Sequence, residues 1–179
     1  MASFAERIVG AMTLKASTYE EVERDASATG QAATIVIAAA ISSGISFIWY
    51  LGFNGFIRNT IFALIGWVIG AAVVWAIGTK VLPGPNTQAD VGQLMRTVGF
   101  AQSPGLLAFI GIVPILGWLV AIALWVWGLV AWVIAVKQAL DYDDTMRAVI
   151  VCVLAWVAMV VVSMVLGGAA MMMGGRPGF

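Results

Sequence analysis

Residues 97–136 read TVGFAQSPGLLAFIGIVPILGWLVAIALWVWGLVAWVIAV, forty positions without one charged side chain. As a single α-helix at about 1.5 Å per residue this stretch would be roughly 60 Å long, twice the ~30 Å of a bilayer's hydrocarbon core. It must therefore fold back on itself. The break is written as Gly111-Ile112-Val113-Pro114, because proline lacks an amide hydrogen and pushes its predecessor out of the α region. Each arm is then barely long enough to cross, so the first arm is expected to start near Gln93, with Arg96 snorkelling to the interface. Pro104-Gly105 would kink or restart that arm. A re-entrant loop that never crosses is the competing reading.

Working outward, the other uncharged runs are residues 26–57, 59–79 and 148–175, of 32, 21 and 28 residues, each as long as a helical span requires. All nine acidic and seven of the nine basic residues lie in three short segments between these runs. With 62% hydrophobic and 10% charged residues and a mean hydropathy of +1.01, the chain falls far outside soluble composition, where about a quarter of residues are charged. It reads as an integral membrane protein. Its zero net charge gives no electrostatic argument for nucleic acid. Without histidine and with Cys152 alone, an internal disulfide is excluded, and a transition-metal site or histidine-based triad is close to excluded. No cofactor is expected. The first 30 residues carry five acidic side chains, unlike a cleavable signal peptide, so the first span should serve as its own insertion signal.

Charge placement chooses between the readings of residues 97–136. Five spans with the N-terminus inside put Arg7, Lys15, Arg24, Lys80, Arg96, Lys137 and Arg147 on the inner side and leave Arg58 and Arg176 outside. Seven against two is a strong positive-inside bias. A third segment that failed to cross would reduce it to five against four. The expected architecture is an all-α bundle of five transmembrane helices, near residues 31–51, 60–79, 93–112, 115–136 and 148–166. Residues 1–30 form an amphipathic and acidic cytoplasmic segment, the membrane domain covers 31–170, and 171–179 form a C-terminal tail outside. A mobile character is expected for residues 167–179.

Within this frame, Phe4, Ile8, Met12 and Ala11 recur at helical spacing, as for a helix lying on the bilayer surface, with a partly frayed tail as the plainer reading. Ser17-Thr18-Tyr19-Glu20 fits a capping box ahead of a short acidic helix. Trp49-Tyr50 suit the headgroup layer, and residues 52–59 read as a tight polar turn. Gly66 and Gly70, four apart, leave a groove for a second helix backbone, within the bundle or, alternatively, in a homo-oligomer. Pro83-Gly84-Pro85-Asn86 is a helix stop. Beyond it Val91, Leu94, Met95 and Val98 mark an amphipathic approach to the membrane.

The stretch from Thr97 to Ala155 resembles the Yip-type domain family, the Ypt/Rab-interacting proteins and their prokaryotic relatives. Gly99-Phe100 followed by Pro104 looks like that family's glycine-aromatic-x-x-x-proline entry to a span. Pro114-Ile115-Leu116-Gly117-Trp118 looks like its turn between adjacent spans. Ala135-Val136-Lys137-Gln138-Ala139-Leu140 with Arg147-Ala148 looks like the loop before the last span. The resemblance implies five spans, a cytosolic N-terminus and a C-terminus on the other side. Residues 1–30 hold no counterpart of the eukaryotic aspartate-leucine-tyrosine-glycine-proline motif, so small-GTPase binding carries over to no residue here. The short N-terminal segment looks like the prokaryotic branch, which implies a bacterial cytoplasmic membrane.

Asp141, Asp143 and Asp144, followed by Arg147, form the sharpest polar cluster. Closely spaced carboxylates supply oxygen ligands to a hard cation or face a cytoplasmic partner; the plainer reading is a solvated loop whose acids favour the start of the last helix, with Asp144 and Arg147 weakly paired. Trp118, Trp125 and Trp132 recur every seven residues beside Trp127, a stripe for packing or lipid, or a wall for an apolar ligand. Gly117, Ala121, Gly128, Ala131 and Ala135 let neighbouring helices come close. Gln102 and Ser103 beside Pro104 suit a carbonyl freed by a kink. No Asp, Glu, Lys or His falls at mid-membrane depth, which disfavours an ion-coupled transporter, and no nucleophile with a base beside it points to an intramembrane protease. The expected function is non-enzymatic: membrane organisation or recruitment of protein partners at the cytoplasmic side. Passive transport or lipid handling is the alternative.

Overall fold

The computed structural model describes residues 2–113 and 117–174, with side chains described outside 46–51 and 165–174. Among them the chain is all-α. Two short helices, α1 (Phe4–Met12) and α2 (Ala16–Arg24), precede α3 (Ala28–Ala76), which ends in a π-helical turn, Ile77–Val81. Then come α4 (Val91–Phe100), a 3-10 helix (Ser103–Ile112), α5 (Gly117–Ala139) and α6 (Thr145–Gly174). Among the described residues four segments are long and apolar enough to cross a membrane: Ala28–Ile45, Gly52–Val81, Gly117–Ala139 and Thr145–Met164.

α3 is two arms, not one rod. Gly52 alone departs from helical geometry, at φ 62° and ψ −179°, a region essentially closed to any residue with a Cβ. The chain folds back there, bringing Phe56 against Gly44. The eight-residue turn expected at residues 52–59 is thus a single residue: positions 53–59 stay helical once glycine has absorbed the reversal.

The segment after α4 also differs from a continuous helix. α4 ends at Phe100, and the chain tightens into a 3-10 helix with Pro104 in its first turn. A proline has no amide to give an α ladder, whereas the start of a helix needs none. The helical path nevertheless continues, and tertiary contacts fix its direction. Ala32 meets Gly99, Ala39 meets Gly105, and the Ser42 hydroxyl lies between the Leu106 carbonyl (2.9 Å) and the Phe109 amide (2.8 Å), so this rod runs parallel to the first arm of α3. Trp67 donates to Met95 O and Trp75 to Ala89 O, both at 2.9 Å, so the second arm runs opposite to it. Gly70 faces Trp132 and Gly78 faces Leu140, placing α5 parallel to the second arm. α6 starts beside the end of α5, where Lys137 bonds Thr145 at 3.0 Å, and turns back.

Five rods therefore alternate in direction, and the bundle has two unlike ends. One gathers α1, α2, the π-turn, the 82–90 loop and the α5–α6 loop, and is called here the charged end. The other holds Gly52, the end of the 3-10 helix and the start of α5. The buried core, which includes Ile35, Trp67, Val74, Leu94, Phe100, Val136, Leu140 and Val151, belongs to the charged half. Towards the bare end the rods display Phe53, Ile61, Phe62, Ile65, Trp118, Ile122, Trp125 and Val161. α6 runs on to Gly174, beyond the expected end at 166, because residues 167–174 contain no helix breaker other than paired glycines; residues 175–179 lie outside the described residues.

Candidate functional site

The charged end is built around the α1–α2 hairpin. A capping box starts α1, with Ser3 Oγ accepting from the Glu6 amide (3.3 Å) and Glu6 returning to the Ser3 amide (2.7 Å); it holds the Glu6 carboxyl below its usual range. Leu14, at φ 60°, turns the chain. α2 then begins at Ala16 with Lys15 as its uncapped N-terminal flank. The capping box expected at Ser17 and Glu20 is not formed, because the turn starts the helix early and puts Ser17 inside the first turn. A second box stands instead at Asp90 and Gln93, opening α4.

Arg7, 2% exposed, ties the hairpin together through Glu21 (2.9 Å), Asp25 (2.7 Å) and Gln31 (3.0 Å). Burial alone would lower its pKa, but bonds to the two carboxylates outweigh that and raise it. Its bond lowers Glu21, helped by the Ala2 amide, while Ser27 and then Arg7 lower Asp25. Tyr19 is fully buried with its hydroxyl on Ala11 O (3.2 Å), and burial pushes that phenol up. The expected surface-lying α1 is thus docked on the bundle: Phe4 meets Phe100 edge to face at 6.4 Å, and Trp127 donates to Met12 O at 2.9 Å. A helix with a narrow apolar stripe buries it more fully against fitted side chains than against headgroups.

Arg96 completes the docking. Rather than reaching to an interface, it is 8% exposed and donates through Nε to Val22 O (3.1 Å) and through Nε and Nη2 to Glu23 O. The last carbonyls of a helix lack intrahelical partners and carry the negative end of its dipole, so a guanidinium is well placed there. Beside it Gln93 Nε2 donates to the buried Glu23 carboxylate at 3.1 Å.

Across the same end Tyr142 plays the corresponding part. It points inward between exposed Asp141 and Asp143, donating to Leu82 O (2.6 Å) and to Gly78 O (3.0 Å) of the π-turn, and burial raises its pKa. Thr87 bonds Leu140 O at 2.7 Å. Arg147 donates to Pro83 O (3.0 Å) over the Tyr142 ring, and Asp144 accepts from the Met146 amide at 2.9 Å, inside the first turn of α6. The structure therefore does not bring Asp144 and Arg147 into an ion pair; the arginine closes the 82–90 loop. Among the described residues no cluster of three or more Asp, Glu, Cys or His is arranged to hold a metal.

The other singled-out residues are dispersed. Gly99 and Phe100 are buried at the centre of the charged half: a Cβ on Gly99 would lie 2.7 Å from that of Ala32, so only glycine admits this approach. Pro104 is buried, Gly117 and Trp118 begin α5 with Trp118 exposed, and Pro114 lies outside the described residues. Gly70 packs on Trp132, whereas Gly66 has open space before it. The tryptophan stripe runs from exposed Trp118 and Trp125 to half-buried Trp132. Ser103 bonds Phe100 O at 2.6 Å, as expected for a carbonyl at a break. The roles of Glu23, Trp127 and Tyr142 escaped the sequence reading. For Tyr142 there was a signal, a lone aromatic inside an acidic loop.

A family model for the Yip1 domain matches residues 9–179. The chain belongs to the Yip1 domain family. No curated protein and no solved structure shows significant similarity to it.

Proposed function

From its membership of the Yip1 domain family we propose that the protein is a five-crossing, non-enzymatic membrane protein that organises the bilayer or recruits protein partners through its charged end. That end faces the cytoplasm, the C-terminus lies outside, and a prokaryotic cytoplasmic membrane is the setting. The observation that carries this reading is that sixteen of the eighteen charges fall in the segments forming that end. The alternation of the five rods supports the fifth crossing. α4 and the 3-10 helix together extend about 35 Å, at ~1.5 and ~2.0 Å per residue, enough for a ~30 Å core.

Removing residues 1–25 would strip the core of Tyr19 and Val22, so the test uses exposed charges and the half-buried Glu20 instead. With Glu20→Gln, Arg24→Gln, Asp143→Asn and Asp144→Asn combined, crosslinking in intact membranes is expected to lose the partners captured by the parent chain. An unchanged partner set would count heavily against recruitment. Topology is tested separately in a Cys152→Ser background, where Asp143→Cys and Arg58→Cys are expected to react with an impermeant maleimide from opposite faces. Reaction from one face removes the five-crossing arrangement.

The second reading, lipid handling or passive transport, draws on an apolar groove of about 510 Å³ along α6, lined by Trp156, Met159, Val160, Ser163 and Met164. Liposomes carrying a fluorescent lipid or a small solute would show protein-dependent flip or flux under this reading and none under the first.

A further inference from the structure

The last turn of α2 is wedged against α4 and faces the α5–α6 loop, and at its centre lies a carboxyl in an unusual position. Glu23 is 6% exposed. Its carboxyl oxygen accepts one bond, from Gln93 Nε2, while its main-chain oxygen takes up the Arg96 guanidinium. Among the described residues no cation lies within ion-pair distance of the Glu23 carboxylate; Arg7 alone forms such pairs, with Glu21 and Asp25. The charges acting on Glu23 are Asp141 from the α5–α6 loop, Arg24 and Glu20 from its own helix, and Arg96 from α4. The Asp141 backbone is left-handed, at φ 49°, with its amide bonded to Gln138 O at 3.0 Å, and its side chain is exposed. A carboxyl enclosed as Glu23 is loses its hydration on ionising and confronts the like charge of Asp141.

We propose that Glu23 is a proton-operated catch for the α1–α2 hairpin: protonated, it lets the hairpin sit on α4 and α5, and ionised, it drives the hairpin's end away from Asp141 and opens the face that Phe4 and Met12 cover. The hairpin is suited to move as a unit, because the ion pairs of Arg7 to Glu21 and Asp25 lie within its own segment and leave with it. What stays behind is the ring of Phe100, the Trp127 indole and Arg96, together with Gln93 and Gln31, whose bonds to Glu23 and Arg7 are given up on release. Burial first, and the Asp141 charge second, push the Glu23 carboxyl up to about 7 against the opposing pull of Arg24 and Arg96. The docked state then holds a proton that the released state gives up, so docking is strongest below about pH 4.5 and weakens as pH rises through about 7. The inference stands whatever partner meets the freed hairpin.

Hydrogen exchange of the full-length protein in nanodiscs, corrected for intrinsic rates, reads the catch directly. Amides of residues 4–24 are expected to lose about 10- to 100-fold of their protection between pH 5.5 and 8, since each unit of pKa shift is worth up to tenfold. Glu23→Gln, which keeps an acceptor for Gln93, is expected to hold the protection to pH 8. Asp141→Asn is expected to lower the midpoint and shrink the loss of protection, because it removes the second cause of the raised Glu23 pKa while leaving the first. A flat profile in the parent chain, a Glu23→Gln profile that follows the parent, or a midpoint unmoved or raised by Asp141→Asn overturns the proposal. So does absence of protection at every pH in both the parent and Glu23→Gln, since the hairpin would then never dock.

Discussion

The two halves of this bundle solve the same packing problem with different means. In the charged half the rods are joined by side chains that end on another segment's main chain: Trp67 on Met95, Trp75 on Ala89, Trp127 on Met12, Arg96 on Val22 and Glu23, Tyr142 on Gly78 and Leu82. In the bare half the corresponding surface is exposed Phe62, Ile65, Trp118 and Trp125, and the one cross-rod polar tie described there is Ser42. Lipid tails are as apolar as these side chains, so burying them against one another brings little. Near the membrane's edge the alternative solvent is water, and both apolar burial and satisfied polar ends count.

Phenylalanine truncations offer the strongest way to break this comparison. Phe100 is fully buried against Phe4, whereas Phe62 is 63% exposed. Phe100→Ala is expected to cost about 3–5 kcal/mol, as for other core aromatics, and Phe62→Ala no more than about 0.5 kcal/mol, as at surface sites. Unfolding titrated with SDS in mixed micelles measures both. Equal losses would mean that the two halves are packed alike.

Arg96→Met comes next and sharpens the polar side of the contrast. It preserves much of the side-chain volume but leaves the Val22 and Glu23 carbonyls without their donor, which is expected to cost about 2 kcal/mol. The loss should be confined to the α1–α2 hairpin, visible as faster amide exchange in residues 4–24 with the α5 and α6 amides unchanged. A loss spread over the whole bundle would show that Arg96 supports the core generally and does not cap α2.

The same contrast explains what was legible in the sequence. Membrane character, the all-α class and the fold-back in residues 97–136 follow from run lengths and prolines, which report on lipid and backbone and need no tertiary knowledge. The family resemblance singles out Gly99 and Phe100, and the structure places Ala32 close against Gly99. The burial of Arg96 was not legible. Its snorkelling was inferred from distance to the nearest polar layer, and nothing local announces that the end of α2, more than seventy residues earlier in the chain, will meet it. The single-residue reversal at Gly52 is hidden for a related reason: asparagine and glycine at residues 52–59 resemble a loop, whereas one glycine takes up the whole reversal.

Ser42 carries the smallest expected effect and tests the bare half from within. The 3-10 segment leaves main-chain groups with poorer geometry than an α-helix does, and in an apolar setting each unsatisfied one is costly. The Ser42 hydroxyl donates to Leu106 O and accepts from the Phe109 amide, so one side chain serves two such groups on a neighbouring rod. Ser42→Ala is expected to cost about 1 kcal/mol, the scale of interhelical bonds in membranes, with faster exchange at residues 103–112 and none at α4. If exchange there is unchanged, the 3-10 helix is held by its own ladder and the fit of Gly105 against Ala39. The third rod would then owe its path to shape alone, as the rest of the bare half does.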